Sequence, residues 1–196
     1  MTRYALLTAP VLLFCYGSVR LLDPTRSPGP VWTVSHLFYL AAFPALALAA
    51  LALRSLAADR RRAALVCVVT SAVGALAGVG QAAVDLLAGW GAADKAARGV
   101  AANHLREIIP ASDFFYGVWP ALTQVGIVGL LVLAWIPSGT AVAQRVPWWC
   151  APLALAAFVL PTVASLDLIP VAAVAVVPAV LPAFRALAAP RPAPVG

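Results

Sequence analysis

Charged residues are scarce in this chain: Asp, Glu, Lys and Arg make up only 10% of its 196 residues, against about 25% in an ordinary soluble domain. Hydrophobic residues make up 63%, and the mean hydropathy is +0.96. A chain of this length cannot bury so much apolar surface when it folds in water. The composition therefore excludes a soluble globular domain and predicts an integral membrane protein surrounded by the lipid bilayer.

Cysteine and histidine are also few. The three cysteines, Cys15, Cys67 and Cys150, stand far apart and form no CxxC pair, which excludes a disulfide scaffold and offers no zinc-ligand spacing. Of the two histidines, only His36 falls inside an apolar run, so haem held by two histidines is excluded as well. We expect no metal site and no cofactor.

Motifs of the common catalytic classes are absent. The sequence contains no GxSxG, no P-loop, no HExxH and no paired-aspartate diphosphate motif. The net charge of +6 comes from basic residues that stand between apolar runs, so it does not form the basic face of a nucleic-acid-binding module. We expect these residues to orient the chain in the membrane and to meet anionic headgroups.

The apolar runs predict an all-α, polytopic membrane bundle of six transmembrane helices, because one span needs roughly 20 apolar residues. Turn-forming stretches such as 23–30 and 137–139 separate the runs. The whole bundle is expected to form a single domain over residues 1–188, followed by a disordered, proline-rich tail at 189–196. The predicted spans are 4–22, 31–56, 63–90, 112–136, 148–165 and 168–187.

The last two spans are the least regular part of this prediction. Residues 148–187 are about twice a bilayer thickness long, with a hinge at Ser165–Asp167. Prolines recur through both halves, so either half could be a broken or re-entrant helix, and five spans remain the alternative.

Residues 92–107 are the most polar segment and are predicted to form an interfacial helix. Apolar positions recur there at helical spacing, opposite Asp94, Lys95, Arg98 and Arg106. Much of the apolar side is only alanine, so a loosely structured loop is the alternative.

The distribution of arginine predicts the orientation. Arg54 lies near the end of span two, and the run 60–62 lies between spans two and three. The positive-inside rule places this turn in the cytoplasm, together with both termini. All six tryptophans fall near predicted span boundaries, where an amphipathic ring is favoured. Abundant alanine, with arginine in place of lysine, resembles a high-GC bacterial gene, so we expect a bacterial plasma membrane.

In this orientation, polar side chains of spans one to four gather in the outer third of the bundle and are candidates for one pocket. Asp85 and Gln81 are one helical turn apart, and an Asp85–His36 pair could exchange protons or hold a cationic group. Alternatively, these residues lie near the headgroups in purely structural roles, with Arg20 paired to Asp23. The candidate catalytic residues are Asp85, Asp113 and His36. The candidate binding residues are Arg20, Gln81, Trp32, Trp90, Trp119 and Tyr116.

Gly74, Gly78 and Ala82 recur at four-residue spacing and predict close helix packing, against either a membrane-protein partner or a second copy of the chain. Three functions remain open. The first is a small non-catalytic accessory or assembly component. The second is an intramembrane enzyme that acts on a lipid-soluble, isoprenoid-like substrate with an aspartate as general acid. The third is a transporter or channel subunit.

Overall fold

The computed structural model describes residues 2–109, 112–136 and 146–189. Every regular element in these ranges is helical, which confirms the all-α prediction for this part of the chain. The predicted break at 137–139 and the tail after Ala189 lie outside the described residues. The α-helices are α1 (Ala5–Leu21), α2 (Pro30–Arg54), α3 (Arg61–Gly89), α4 (Lys95–Ile108), α5 (Ser112–Phe115), α6 (Leu122–Trp135), α7 (Cys150–Val163) and α8 (Ile169–Ala188).

Three helical stretches are long and apolar enough to cross a membrane: Thr2–Leu21, Pro30–Gly89 and Leu166–Ala188. The second of these contains both α2 and α3, which meet at the short 3₁₀ turn Ser55–Arg60. The other apolar helices, α6 and α7, have 14 residues each, or about 21 Å at about 1.5 Å per residue. That is shorter than a bilayer core of about 30 Å.

Six helices form a closed ring. Going round it, α1 contacts α2, α2 contacts α3, α3 contacts α6, α6 contacts α7, α7 contacts α8, and α8 returns to α1. The helices alternate in direction, so the chain start and the end of α8 lie at the same end of the bundle, where Thr2 and Leu187 line one surface cleft with Ser55. We call this the basic end, since Arg3, Arg54, Arg61 and Arg185 also lie there.

Small residues fill the interior and large apolar residues cover the outside. Most buried hydrophobic side chains are alanine, as in Ala42, Ala50 and Ala77. Alanine lets helix backbones approach closely, which is how helices associate when water does not drive them together. Large apolar side chains are exposed on every long helix; they include Val11, Phe14, Leu37, Leu51, Val66, Leu76, Val171 and Val174.

The predicted fourth span, 112–136, is wrong as one continuous helix. It is divided into α5 and α6 by a turn at Tyr116–Ala121. Gly117 has φ +71°, a conformation that costs glycine little, and Pro120 lacks the N–H that a continuing helix would use. The region is as apolar as a membrane span, but Gly117 and Pro120 are typical of a turn.

The predicted hinge of the last hairpin is present, but the alternative of a proline-broken half is wrong. Prolines at 178 and 182 lie inside α8, yet α8 continues through both. The hinge expected at Ser165–Asp167 is present as a 3₁₀ turn, where the Ser165 hydroxyl accepts a hydrogen bond from the Asp167 N–H at 3.2 Å. The last hairpin is therefore two separate continuous helices.

The small-residue ridge of α3 contacts other helices of the same chain. A Cβ atom at Gly74 would overlap the backbone of Thr123 in α6, and one at Gly78 would overlap the ring of Phe43 in α2. Ala82 is fully buried. A partner protein at this ridge would have to displace α6 or Phe43, so the ridge serves packing within the chain.

Candidate functional site: a polar pocket beneath α4

A cavity of about 500 Å³ opens at the end of the bundle opposite the basic end. It lies where α1 ends, α2 begins and α3 ends, and α4 runs across it. We call it the polar pocket. Its charged and polar lining residues are Tyr16, Arg20, Asp23, Arg26, Trp32, Ser35, His36, Gln81, Asp85, Lys95, Arg98, Asn103 and Arg106.

The first turns of α2 form the wall around His36. Pro30 stands in the first turn, where a proline costs no helical hydrogen bond. Trp32 and His36 are four residues apart and therefore lie on one face, with their rings stacked at 3.8 Å between centroids. His36 Nδ1 lies 2.8 Å from the Trp32 carbonyl oxygen, which can only accept, so Nδ1 donates and Nε2 is the nitrogen available for proton exchange. The Ser35 hydroxyl donates to the same carbonyl at 2.7 Å.

Asp85 forms the second wall, on α3. Its Oδ1 accepts a hydrogen bond of 3.0 Å from the Tyr116 hydroxyl, which comes from the turn between α5 and α6. The Arg106 guanidinium of α4 lies over the Tyr116 ring, 3.9 Å from its centroid. The turn that divides the predicted fourth span therefore places the Tyr116 hydroxyl against the Asp85 carboxylate.

Asp167 joins the two halves of the bundle at the rim. Its Oδ1 accepts hydrogen bonds from Arg20, at 3.0 Å, and from Arg26. Arg20 is largely buried, with 12% of its side chain exposed, whereas Asp167 is 43% exposed. The pairing ties α1 and the α1–α2 loop to the turn between α7 and α8.

The α1–α2 loop is held in an unusual backbone conformation. Arg26 has φ +54°, in the left-handed region that residues other than glycine, asparagine and aspartate seldom adopt. The Arg26 N–H donates to the Asp23 carbonyl at 3.2 Å, and its own carbonyl accepts from Arg98 Nη1 at 3.2 Å. Within the loop, Thr25 donates to the Asp23 carboxylate and holds its pKa below the ordinary value.

The cover of the pocket, α4, is a regular helix, so the loop alternative is wrong. Asp94 caps its start by accepting from the Ala97 N–H at 2.8 Å. Arg98 lies over the Trp32 ring, 5.2 Å from its centroid, and also reaches the Arg26 carbonyl. These contacts fix α4 to α2 and to the α1–α2 loop.

Arg20, Trp32, His36, Gln81 and Asp85 are predicted site residues that the structure brings together in this pocket. Tyr116 is joined to them through its hydrogen bond to Asp85.

The remaining predicted residues lie elsewhere or are not fully described. Trp90 is 86% exposed beyond the end of α3, and Trp119 contacts Phe114 at 5.2 Å between ring centroids. Neither lines the pocket. Asp113 lies in α5, and its side chain is outside the described part of the chain.

The sequence did not assign Asp167, or the basic residues of α4, to the site. Asp167 lies 147 residues from Arg20 along the chain, and the two meet because α8 packs against α1, which a hydropathy pattern does not predict. The alternative that paired Arg20 with Asp23 is wrong, because Arg20 pairs with Asp167 and the Asp23 carboxylate accepts from Thr25. Within the described residues, no group of three His, Cys, Asp or Glu side chains is placed to hold a metal ion.

In the described part of the chain, the fold and the site define an all-helical bundle with a polar pocket at one end. Comparison of the chain with protein-family models, with curated proteins and with solved structures finds no match.

Proposed function

We propose that this chain is a multi-pass protein of the bacterial plasma membrane that binds a lipid-soluble molecule in the polar pocket. The observation that carries the proposal is the concentration of polar side chains. In a chain with 10% charged residues, five basic and two acidic side chains line one cavity together with His36 and Gln81. Burying polar groups in so apolar a protein is costly unless they have a partner or a task.

The membrane location is supported by the two surfaces of the bundle. Large apolar side chains face outward and alanine faces inward, the arrangement expected when lipid surrounds the helices. Exposed tryptophans stand at both ends: Trp90 and Trp119 near the pocket, and Trp135, Trp148 and Trp149 towards the basic end. The arginines of the basic end favour the cytoplasm, which puts the pocket and α4 at the outer membrane surface and both termini inside.

Asp85 is the group we assign to proton transfer, as a general acid. It stands on the same helix face as Gln81, and its carboxylate is oriented by Tyr116. His36, in the facing wall, has its Nε2 available to take up or supply the proton. The substrate class we assign to these groups is lipid-soluble and isoprenoid-like.

Solvent extraction of the purified protein tests this proposal. Wild type and Asp85→Asn are purified in detergent and extracted with organic solvent, and co-purified molecules are identified by mass spectrometry. We expect one compound to be enriched with the wild type, and to be lost or replaced by its unconverted precursor with the variant. Asp59→Asn, an exposed carboxylate at the basic end, is the matched control and should retain the wild-type profile. Bulk lipid alone in all three samples contradicts the proposal.

A second candidate is the non-catalytic accessory component. It is favoured by the hydrogen bonds already made within the pocket, since Asp85 is bonded to Tyr116 and His36 to a backbone carbonyl. Side chains satisfied in this way can serve the fold alone. In that case the three extraction profiles are identical.

A further inference from the structure

The polar pocket carries an excess of positive charge. Arg20, Arg26, Lys95, Arg98 and Arg106 line it, against the carboxylates of Asp23 and Asp85. Counting Asp167 at the rim as well still leaves two positive charges in excess. Like charges gathered over a low-dielectric bundle repel one another, and an anion bound among them relieves that repulsion.

The arginines retain capacity for such an anion. Arg20 and Arg26 share a single oxygen of Asp167, and each guanidinium has more N–H donors than one bond requires. Their planar donor pairs match the oxygens of phosphate, which accepts several hydrogen bonds at once. Lys95 and Arg98 approach the same cavity from α4.

An apolar crevice adjoins the pocket. It has a volume of about 140 Å³ and is bounded by α1, α2, α6, α7 and α8. Leu13, Phe158 and Val176 supply apolar walls, and Tyr39 and Gln124 also line it. Tyr16 and Leu166 line both the crevice and the polar pocket, so the two spaces share a wall. A molecule that fills both has an anionic head and an apolar chain.

We propose that the pocket binds the phosphate headgroup of an anionic amphiphile whose apolar chain enters the crevice lined by Leu13, Phe158 and Val176. This inference rests on the proposed function and names the chemical class of its ligand. The crevice holds the first part of the apolar chain.

The test compares three probes: farnesyl phosphate, farnesol and inorganic phosphate. The full-length protein in neutral detergent is titrated with each, and binding is followed by native mass spectrometry and by the shift in Tm. We expect one farnesyl phosphate per chain and no binding of farnesol at the same concentration. Inorganic phosphate should bind at least about 100-fold more weakly, because it leaves the crevice empty.

Three variants locate the headgroup. Lys95→Gln combined with Arg98→Gln should weaken farnesyl phosphate binding by about tenfold or more. Arg54→Gln combined with Arg61→Gln removes the same charge at the basic end and should change nothing. Lys95→Gln alone, at an exposed position of α4, should weaken binding measurably without disturbing the loop contact of Arg98.

Each other outcome overturns the inference in a recognisable way. Equal binding of farnesol shows that the site does not recognise the phosphate headgroup. Equal binding of inorganic phosphate shows a site that binds the anion but not the apolar chain of the ligand. Equal weakening by the two double variants shows that the charge acts only through the net charge of the protein. If no phosphate binds but a neutral compound is still extracted from the wild type and lost from Asp85→Asn, the inference fails while the proposed function stands.

Discussion

Replacing Gly74 by alanine is expected to lower the free energy of unfolding by about 1–3 kcal/mol through overpacking, although alanine is the better helix former. A Cβ atom at position 74 would overlap the backbone nitrogen of Thr123. On the other side of the contact, a Cβ atom at Gly126 would overlap the backbone oxygen of Cys67 and the backbone nitrogen of Ser71. The Ser71 hydroxyl donates to the Thr123 carbonyl at 3.2 Å. Since the obstruction is backbone on both sides, α3 and α6 would have to separate.

The matched control is Gly99→Ala in α4. Nothing lies within 4 Å of a Cβ atom at that position, so only the gain in helix propensity operates, and stability should stay the same or rise by up to about 1 kcal/mol. The Tm of each variant in detergent measures the difference. Equal Tm values for Gly74→Ala and wild type would contradict the close approach of α3 and α6.

Asp167→Asn is expected to cost about 1–2 kcal/mol, between the values for an exposed and a buried ion pair. The substitution removes the carboxylate charge that pairs with both Arg20 and Arg26. Arg20 is largely buried and loses its ion-pair partner, while the left-handed conformation of Arg26 loses one of the contacts that hold it. We expect a lower Tm and faster amide exchange in residues 22–29.

Asp23→Asn is the control for this prediction. It removes a carboxylate from the same loop, but one whose side chain bonds to Thr25 within that loop. Its effect on Tm should be smaller than that of Asp167→Asn. If the two variants lower Tm by the same amount, the bond between the α1–α2 loop and the α7–α8 turn does not contribute to stability.

The sequence was most informative where apolar runs were long. The predicted spans 4–22, 31–56 and 63–90 lie within a few residues of α1, α2 and α3. In these helices the hydrophobic run, the flanking turn residues and the arginines agree with one another. The same agreement placed Arg20, His36 and Asp85 near one end of their helices, and the structure puts all three in one pocket.

Prediction failed where local and tertiary signals conflicted. Residues 112–136 are apolar enough to predict one continuous span, although Gly117 and Pro120 within them are typical of the turn found at Tyr116–Ala121. The spacing of Gly74, Gly78 and Ala82 predicted close packing without saying which helix packs there. The hydropathy pattern likewise does not predict that α8 packs against α1, which brings Asp167 to Arg20.

The most direct measurement is the labelling of one new cysteine in the pocket. Asn103→Cys on α4 lines the pocket and is exposed, so a membrane-impermeant maleimide should label it on intact bacterial spheroplasts, and farnesyl phosphate should slow that labelling. Ala58→Cys at the basic end should be labelled only after lysis and should not be protected; unsubstituted protein, with its native cysteines, gives the background. Labelling of Ala58→Cys but not of Asn103→Cys on intact spheroplasts would contradict the orientation. An Asn103→Cys labelling rate unchanged by farnesyl phosphate would contradict the ligand.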